Sequence, residues 1–336
     1  MAVFLTGATG FIGEKLALRL ADTGAVVHVL HRPTSDTRAL RHDRIRLFEG
    51  DILDSDSIAA AVRGCEQAYH LAAFAGVKAK KQQDVWEKNV IGTRKVIRTA
   101  LREKVDRIVY TSTAGVFSHC EDGCIDEKTP TKTNFYNEYE HSKSAAEEEI
   151  LEMGRSSGRI VVVNPSRVYG PGRLSQSNGI TRLIKRYLEG TWHIIPGNGS
   201  SIGNYAFVDD VVGGMQTAMD KGIPGERYLL GGVNVSYDEL FRVLVEVSGE
   251  KRFLVKLPES VMNAVAHCMV FMTDRFGGAP MITPALVRKY CRDWKVSSAK
   301  ACRDLDYRIT SLEEGLTRTV FWLKKRYEIP ESEIGK

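Results

Sequence analysis

Short apolar runs alternate along the first half of the chain with longer segments whose apolar positions recur every three to four residues. The runs predict strands at Ala2–Thr6, Val26–Leu30, Ile45–Glu49, Gln67–Leu71, Arg107–Thr111 and Arg159–Val163. The periodic segments predict helices near Phe11–Asp22, Ser55–Val62, Gln83–Glu103 and Asn137–Arg155. Strands separated by helices pair in parallel and are covered on both faces, so the expected fold class is α/β, a doubly wound parallel sheet. From Pro165 onward this rhythm breaks, and glycine and proline cluster at Gly170-Pro171-Gly172, Pro196-Gly197-Asn198-Gly199 and Gly277-Gly278-Ala279-Pro280. The expected organisation is a sheet domain over 1–164 and a smaller, discontinuous C-terminal lobe over 165–203 and 233–336. Segments near 204–232, at Tyr205 to Asp210 and Tyr228 to Gly232, read as strand ends able to return to the sheet. Ser311-Leu312-Glu313-Glu314 fits a capping box for a last helix, which carries Leu316, Val320 and Leu323 at helical spacing and a basic end, Lys324-Lys325-Arg326.

Composition narrows the class. With 336 residues, 43% hydrophobic and 26% charged, the chain can build a sizeable core and is not disordered. The 47 Lys and Arg exceed the 42 Asp and Glu by 5, spread too thinly for a nucleic-acid-binding stripe. The longest apolar run, Val261 to Met272, is interrupted by Asn263 and His267 and falls short of the ~20 residues that span a bilayer. It reads as a core or ligand-covering helix, with a membrane-surface helix as the alternative. No signal-peptide pattern precedes Ala2, and the six cysteines of so long a chain read as reduced thiols, so a cytoplasmic protein without structural disulfides is expected. Cys120 and Cys124 lack the Cys-x-x-Cys spacing of a redox or metal pair, and no metal site is expected.

The candidate chemistry begins at Gly7-Ala8-Thr9-Gly10-Phe11-Ile12-Gly13, between the first strand and the first helix. Backbone N–H groups there, at the positive end of a helix, suit a pyrophosphate. Gly7 permits the tight turn, Gly10 lets a diphosphate approach the backbone, and Gly13 lets the helix lie against the strand, with Ile12, Leu16 and Leu20 as its buried face. The second strand ends in Leu30-His31-Arg32-Pro33-Thr34-Ser35. An acidic residue there would accept from a ribose 2′-hydroxyl; instead Arg32, with Ser35 or Thr34, offers donors for a 2′-phosphate, which favours NADP over NAD. Asp51, before Ile52, either accepts from the adenine amino group or is only the first acid before a helix. Tyr139 and Lys143, four residues apart on a predicted helix, share one face. A phenol is a poor base near neutral pH, but an adjacent ammonium and a positive nicotinamide ring favour the phenolate, so Tyr139 can exchange a substrate proton while Lys143 also holds the cofactor ribose. Lys78-Ala79-Lys80-Lys81 is either an anion-attracting loop or simply solvated.

Tyr110-Thr111-Ser112-Thr113-Ala114-Gly115, the glycine loop, His70-Leu71-Ala72-Ala73, Asn89-Val90-Ile91-Gly92-Thr93, Tyr139 to Lys143 and Asn164 to Pro171 together resemble an extended short-chain dehydrogenase/reductase, of the NAD-dependent epimerase/dehydratase family, over essentially the whole chain. The likeness is to dihydroflavonol-reductase-like, 3β-hydroxysteroid-dehydrogenase-like and hopanoid-associated epimerase-like members. It implies a Rossmann sheet, Thr113 as the hydroxyl that bonds the reacting oxygen (Ser112 if the register shifts by one), and Asn89 as support. It also implies cofactor contacts at Thr9, Phe11, Ile12, Leu71, Ala72 and Ala73, a nicotinamide wall at Pro165, Ser166 and Val168, and a homodimer through the helices after the fourth and fifth strands. Nucleotide-sugar relatives commonly carry Arg-Asp where this chain has Gly203-Asn204, ahead of Tyr205 to Asp210, so a diphosphate-gripping arginine is missing unless Arg173, Arg182 or Arg186 replaces it. The expected activity is reversible ketone/alcohol hydride transfer on a small, largely apolar substrate. The alternatives are a sugar-nucleotide epimerase or dehydratase with tightly held NAD, and a non-catalytic dinucleotide sensor.

Overall fold

The structure, a computed structural model, describes residues 1–74, 82–120, 123–175, 178–277, 280 and 282–329. The Lys78–Lys81 run lies outside the described residues. Strands β1 (Ala2–Thr6), β2 (Val26–His31), β3 (Ile45–Glu49), β4 (Gln67–His70), β5 (Arg107–Thr111) and β6 (Ile160–Pro165) alternate with helices α1 (Phe11–Asp22), α2 (Ser55–Val62), α3 (Gln82–Trp86), α4 (Thr93–Arg102) and α5 (Glu138–Ser157). Along the strands, successive side chains enter opposite layers. Val3 and Leu5 join Val27, Val29 and Val109 beneath α1, whereas Phe4 joins Ala68, Ile108 and Tyr110 beneath α2, α4 and α5. Each buried Val, Leu or Phe contributes about 1.5–3 kcal/mol, which is why the apolar runs become the sheet's interior.

The remaining elements are β7 (Arg167–Tyr169), α6 (Gly179–Leu188), β8 (Ile194–Pro196), β9 (Ile202–Phe207), α7 (Val208–Lys221), β10 (Arg227–Leu230), β11 (Val233–Ser236), α8 (Tyr237–Ser248), β12 (Val255–Leu257), α9 (Glu259–Phe276), α10 (Pro284–Tyr290), α11 (Ala299–Leu305) and α12 (Leu312–Tyr327). The large sheet has the order β10-β6-β5-β4-β1-β2-β3, with every pairing parallel. The chain winds outward from β1 in one direction and from β4 in the other, so the crevice between these strand ends is the switch point where such sheets bind ligands.

Three expectations are corrected. Of the segments read as returning to the sheet, only β10 does so. Residues 202–207 form the centre of a separate three-stranded sheet, β11-β9-β7, because Tyr205 and Phe207 pack into the core built by α6, α8 and α12. The helix expected over Gln83–Glu103 is interrupted by a π-helical stretch, Glu87–Gly92, between α3 and α4. Ile12 is only partly buried, and Phe11 takes its place in the core beside Leu16 and Leu20. Among the described residues no helix is long and apolar enough to cross a membrane.

Candidate active site

The glycine loop is held at the switch point. Gly7 has φ +79°, and a Cβ there would lie 2.6 Å from the Ala72 nitrogen, so the turn after β1 touches the chain leaving β4 at Leu71 and Ala72. A Cβ on Gly13 would lie 2.2 Å from the Gly7 carbonyl oxygen; glycine alone lets α1 start this close to the turn. Gly10 caps α1 in an extended conformation with no side chain over its first amides. The result is an open cradle of N–H groups bounded by half-buried Thr9 and Ile12, half-buried Leu71 and Ala72, and exposed Ala73. Phe11 contributes only its backbone, since its ring is buried against Gly172. These residues fit a dinucleotide: the cradle takes the diphosphate, and Ser166 Oγ is a buried hydroxyl without a partner beside Pro165 at the end of β6. Val168 is buried in the core.

Arg32 is exposed at the end of β2 and Ser35 is half-buried, its N–H bonded to the Arg32 carbonyl at 2.9 Å. A carboxylate does stand in this loop, at Asp36, but it is consumed. Arg38 binds it through two hydrogen bonds of 2.9 Å, and Arg173 reaches it at 3.4 Å and its carbonyl at 3.0 Å. These guanidinium groups hold Asp36 far below the usual carboxylate range. Asp51 accepts from Leu53 N at 2.9 Å, beside Ile52, while Asp54 is the residue that caps α2.

Tyr139 and Lys143 lie on α5, whose N-terminus is fixed by Asn137, accepting from Glu140 N at 2.8 Å. Lys143 is buried, donates to the Thr111 carbonyl at 2.7 Å and stands 4.3 Å over the Tyr110 ring. Burial lowers its pKa to about 7, with Glu147, one turn further on, opposing the shift. Tyr139 does not show the expected depression in the protein alone: burial, with a smaller push from Glu140, raises it to about 12. Thr113 is half-buried and its Oγ1 accepts from Gly115 N at 3.1 Å, leaving its own proton free to donate; Ser112 is buried. Asn89, in the π-helical stretch, accepts from Phe74 N at 2.7 Å and donates to Ser142 Oγ at 2.9 Å, which ties the chain after β4 to α5.

The roles of two site residues, His70 and Glu147, escaped the sequence reading. His70 lies between Thr6 Oγ1 (2.6 Å) and Thr93 Oγ1 (2.9 Å), stacked on Tyr110. Burial, then the Lys143 charge, lowers its pKa to about 3, so it is neutral. Glu147, one turn beyond Lys143, is buried and accepts from Asn164 Nδ2 at 2.7 Å, which also donates to the Thr113 carbonyl at 3.2 Å. Only its spacing from Lys143 was available as a signal. Among the described residues no group of three or more His, Cys, Asp or Glu is placed to hold a metal, and Cys120 and Cys124 are free thiols.

A glycine cradle at the switch point of a parallel doubly wound sheet defines a dinucleotide-binding α/β protein. The NAD dependent epimerase/dehydratase family matches residues 3–231, and the chain belongs to that family. It is an NAD(P)-dependent enzyme of the extended short-chain dehydrogenase/reductase type. It is 29% identical to sterol demethylase protein B of Methylococcus capsulatus, over 97% of this chain and 99% of that one. It is 27% identical to a 3 beta-hydroxysteroid dehydrogenase/Delta 5-->4-isomerase of Mycobacterium tuberculosis, over 98% and 92%. The solved structure of gox2253 superposes with a TM-score of 0.83 at 29% identity, over 98% of this chain and 99% of that one.

Proposed function

We propose that this enzyme is an NADP-dependent oxidoreductase that interconverts a ketone and an alcohol on a small, largely apolar substrate, using Thr113, Tyr139 and Lys143 with Asn89 in support. One observation carries the reading: Tyr139 and Lys143 share a face of α5, and the Lys143 ammonium is bonded to the strand that leads into Thr113. Residues 1–164 with 204–232 serve the cofactor; 165–203 and 233–336 serve the substrate. The dinucleotide supplies or accepts a hydride. Thr113 donates a hydrogen bond to the reacting oxygen, and Tyr139 gives that oxygen its proton in reduction and removes it in oxidation. Lys143 favours the phenolate once the cofactor's charge is present and holds the ribose. The preference for NADP rests on Arg32 and on Asp36 being neutralised by Arg38 and Arg173. The apolar substrate rests on α9, whose Val261, Val265, Phe271 and Met272 are exposed.

A second reading, a sugar-nucleotide epimerase or dehydratase with retained NAD, is favoured by an open depression of about 460 Å³ lined by Arg182 and Arg186 together with the Lys185–Glu189 pair. Titration of the purified protein with NADPH and NADH, after assaying the denatured protein for released nucleotide, separates the two. Exchangeable binding with a clear NADPH preference is expected; stoichiometric, non-exchanging NAD overturns it. In that titration Tyr139→Phe is expected to keep cofactor affinity, while in a reductase assay with an apolar ketone such as decan-3-one it loses turnover by about 100-fold or more; undiminished activity sinks the role of Tyr139. We further propose a cytoplasmic homodimer through the helices after β4 and β5, where Trp86 of α3 and Ile91 of the π-helical stretch are exposed. Light scattering is expected to give twice the chain mass, and a monomer refutes it.

A further inference from the structure

We propose that Arg167 is the seat of a carboxylate carried by the substrate, so that the enzyme acts on hydroxy and oxo acids with an apolar body. This deepens the oxidoreductase reading and rests on it. Arg167 opens β7, next to Ser166 and in register with Tyr205 of β9. A Cβ at residue 203 would lie 2.6 Å from Arg167 Nη1 and 2.8 Å from the Tyr205 hydroxyl oxygen, so the guanidinium fills the room that Gly203 leaves. The charge that nucleotide-sugar relatives commonly place on β9 therefore arises here from the neighbouring strand. Its partners are few. Nη1 makes one long bond, 3.4 Å, to the Tyr237 hydroxyl, and the Tyr205 ring lies 5.8 Å away. Among the described residues no carboxylate pairs with it, whereas Lys132 and Lys289 pair with Glu140 and Arg227 with Glu147.

A half-buried guanidinium that makes one long bond has donors to offer a charged acceptor. Burial acts against its charge, and the side chains that favour it are the phenols Tyr237, Tyr205 and Tyr290, whose O–H groups can also donate. A planar fork among phenols, with no cation among the residues that act on it, matches one carboxylate better than a doubly charged diphosphate. The seat is also tied to the catalytic helix through α10. Tyr290 follows Lys289, whose ammonium pairs with Glu140, the residue after Tyr139. Beyond α10, α9 buries Met262 and Ala266 against Val287 and leaves Val261 and Val265 exposed, an apolar surface for the rest of the substrate.

The test is calorimetric binding to NADPH-saturated protein of 3-hydroxydecanoate, its methyl ester and UDP-glucose, with NADPH affinity as the folding check. The acid is expected to bind at least about tenfold more tightly than the ester, and Arg167→Met to erase that difference. Tyr237→Phe, which keeps the guanidinium, is expected to weaken the acid severalfold and covers the case in which Arg167→Met fails to fold. Equal binding of acid and ester, or a preference that survives Arg167→Met, overturns the proposal. Arg167-dependent binding of UDP-glucose without binding of the acid also overturns it and assigns the guanidinium to a diphosphate. Turnover of decan-3-one that depends on Tyr139 tests the oxidoreductase reading separately, so either idea can fail while the other stands.

Discussion

Lys143 and Tyr139 illustrate how one turn of helix can place two groups under opposite pressures. Burial disfavours the charged form of each, lowering the lysine to about 7 and raising the tyrosine to about 12. The lysine shift has a measurable sign. Between its folded value near 7 and its ordinary 10.5 the unfolded chain holds a proton that the folded one has released. Stability from this group therefore rises as pH increases across that window and is flat below it. In urea unfolding of the cofactor-free protein between pH 7 and 10, Lys143→Met is expected to lose part of the wild-type upward slope; identical slopes would remove Lys143 as its source. The Tyr139–Lys143 pair was legible because both residues sit on one helix at a fixed spacing. Glu147 followed the same rule but needed Asn164 and Arg227, from distant strands, before it meant anything. His70 was legible as part of a motif, but not as the neutral link between Thr6 and Thr93, since only strand pairing brings those hydroxyls to its ring.

At the scale of elements, the start of the last helix was read from capping chemistry, and Ser311 accepts from Glu314 N at 3.2 Å. Asn137, read as the first residue of its helix, is instead the cap that closes the start of α5 two residues before Tyr139. Replacing Asn137 by Ala leaves an amide of the first turn unsatisfied and is expected to cost about 1 kcal/mol in denaturant unfolding, with Asn137→Ser restoring most of it. Elements were less legible where two arrangements share one pattern. The π-helical stretch keeps the apolar spacing of a plain helix to within one residue, and the widened turn shows only in where Asn89 points its amide. Residues 202–207 have the composition of a buried strand in either sheet; the aromatic side chains of Tyr205 and Phe207, which fill the C-terminal core, decide which.

At the scale of the molecule, the doubly wound parallel class followed from the rhythm of the first half of the chain, whereas the order of the strands and the contacts that bind later segments to that sheet did not. Glu140 is the clearest of these. It is buried between Lys132 at 3.0 Å and Lys289 of α10, and although burial opposes it, these ammonium groups hold the carboxyl below its ordinary range. Its contribution is full above pH 4.5 and lost as pH falls through the depressed value. Glu140→Gln strands two lysines and is expected to lower stability at pH 7 by about 3 kcal/mol, read as a fall in Tm that narrows under acid conditions; an unchanged Tm would show that the tie is dispensable. The path of the chain has a consequence of another kind. It leaves the large sheet after β6, builds β7 and β9, returns through α7 and β10 to complete the sheet's edge, and leaves again. Val208, Val211, Val212 and Met215 of the returning helix belong to the core beneath α1. No single cut separates the two regions, so neither can be traded as a cassette between relatives. New substrates in this architecture must be reached by changing residues in place, as a glycine at 203 and an arginine at 167 do together.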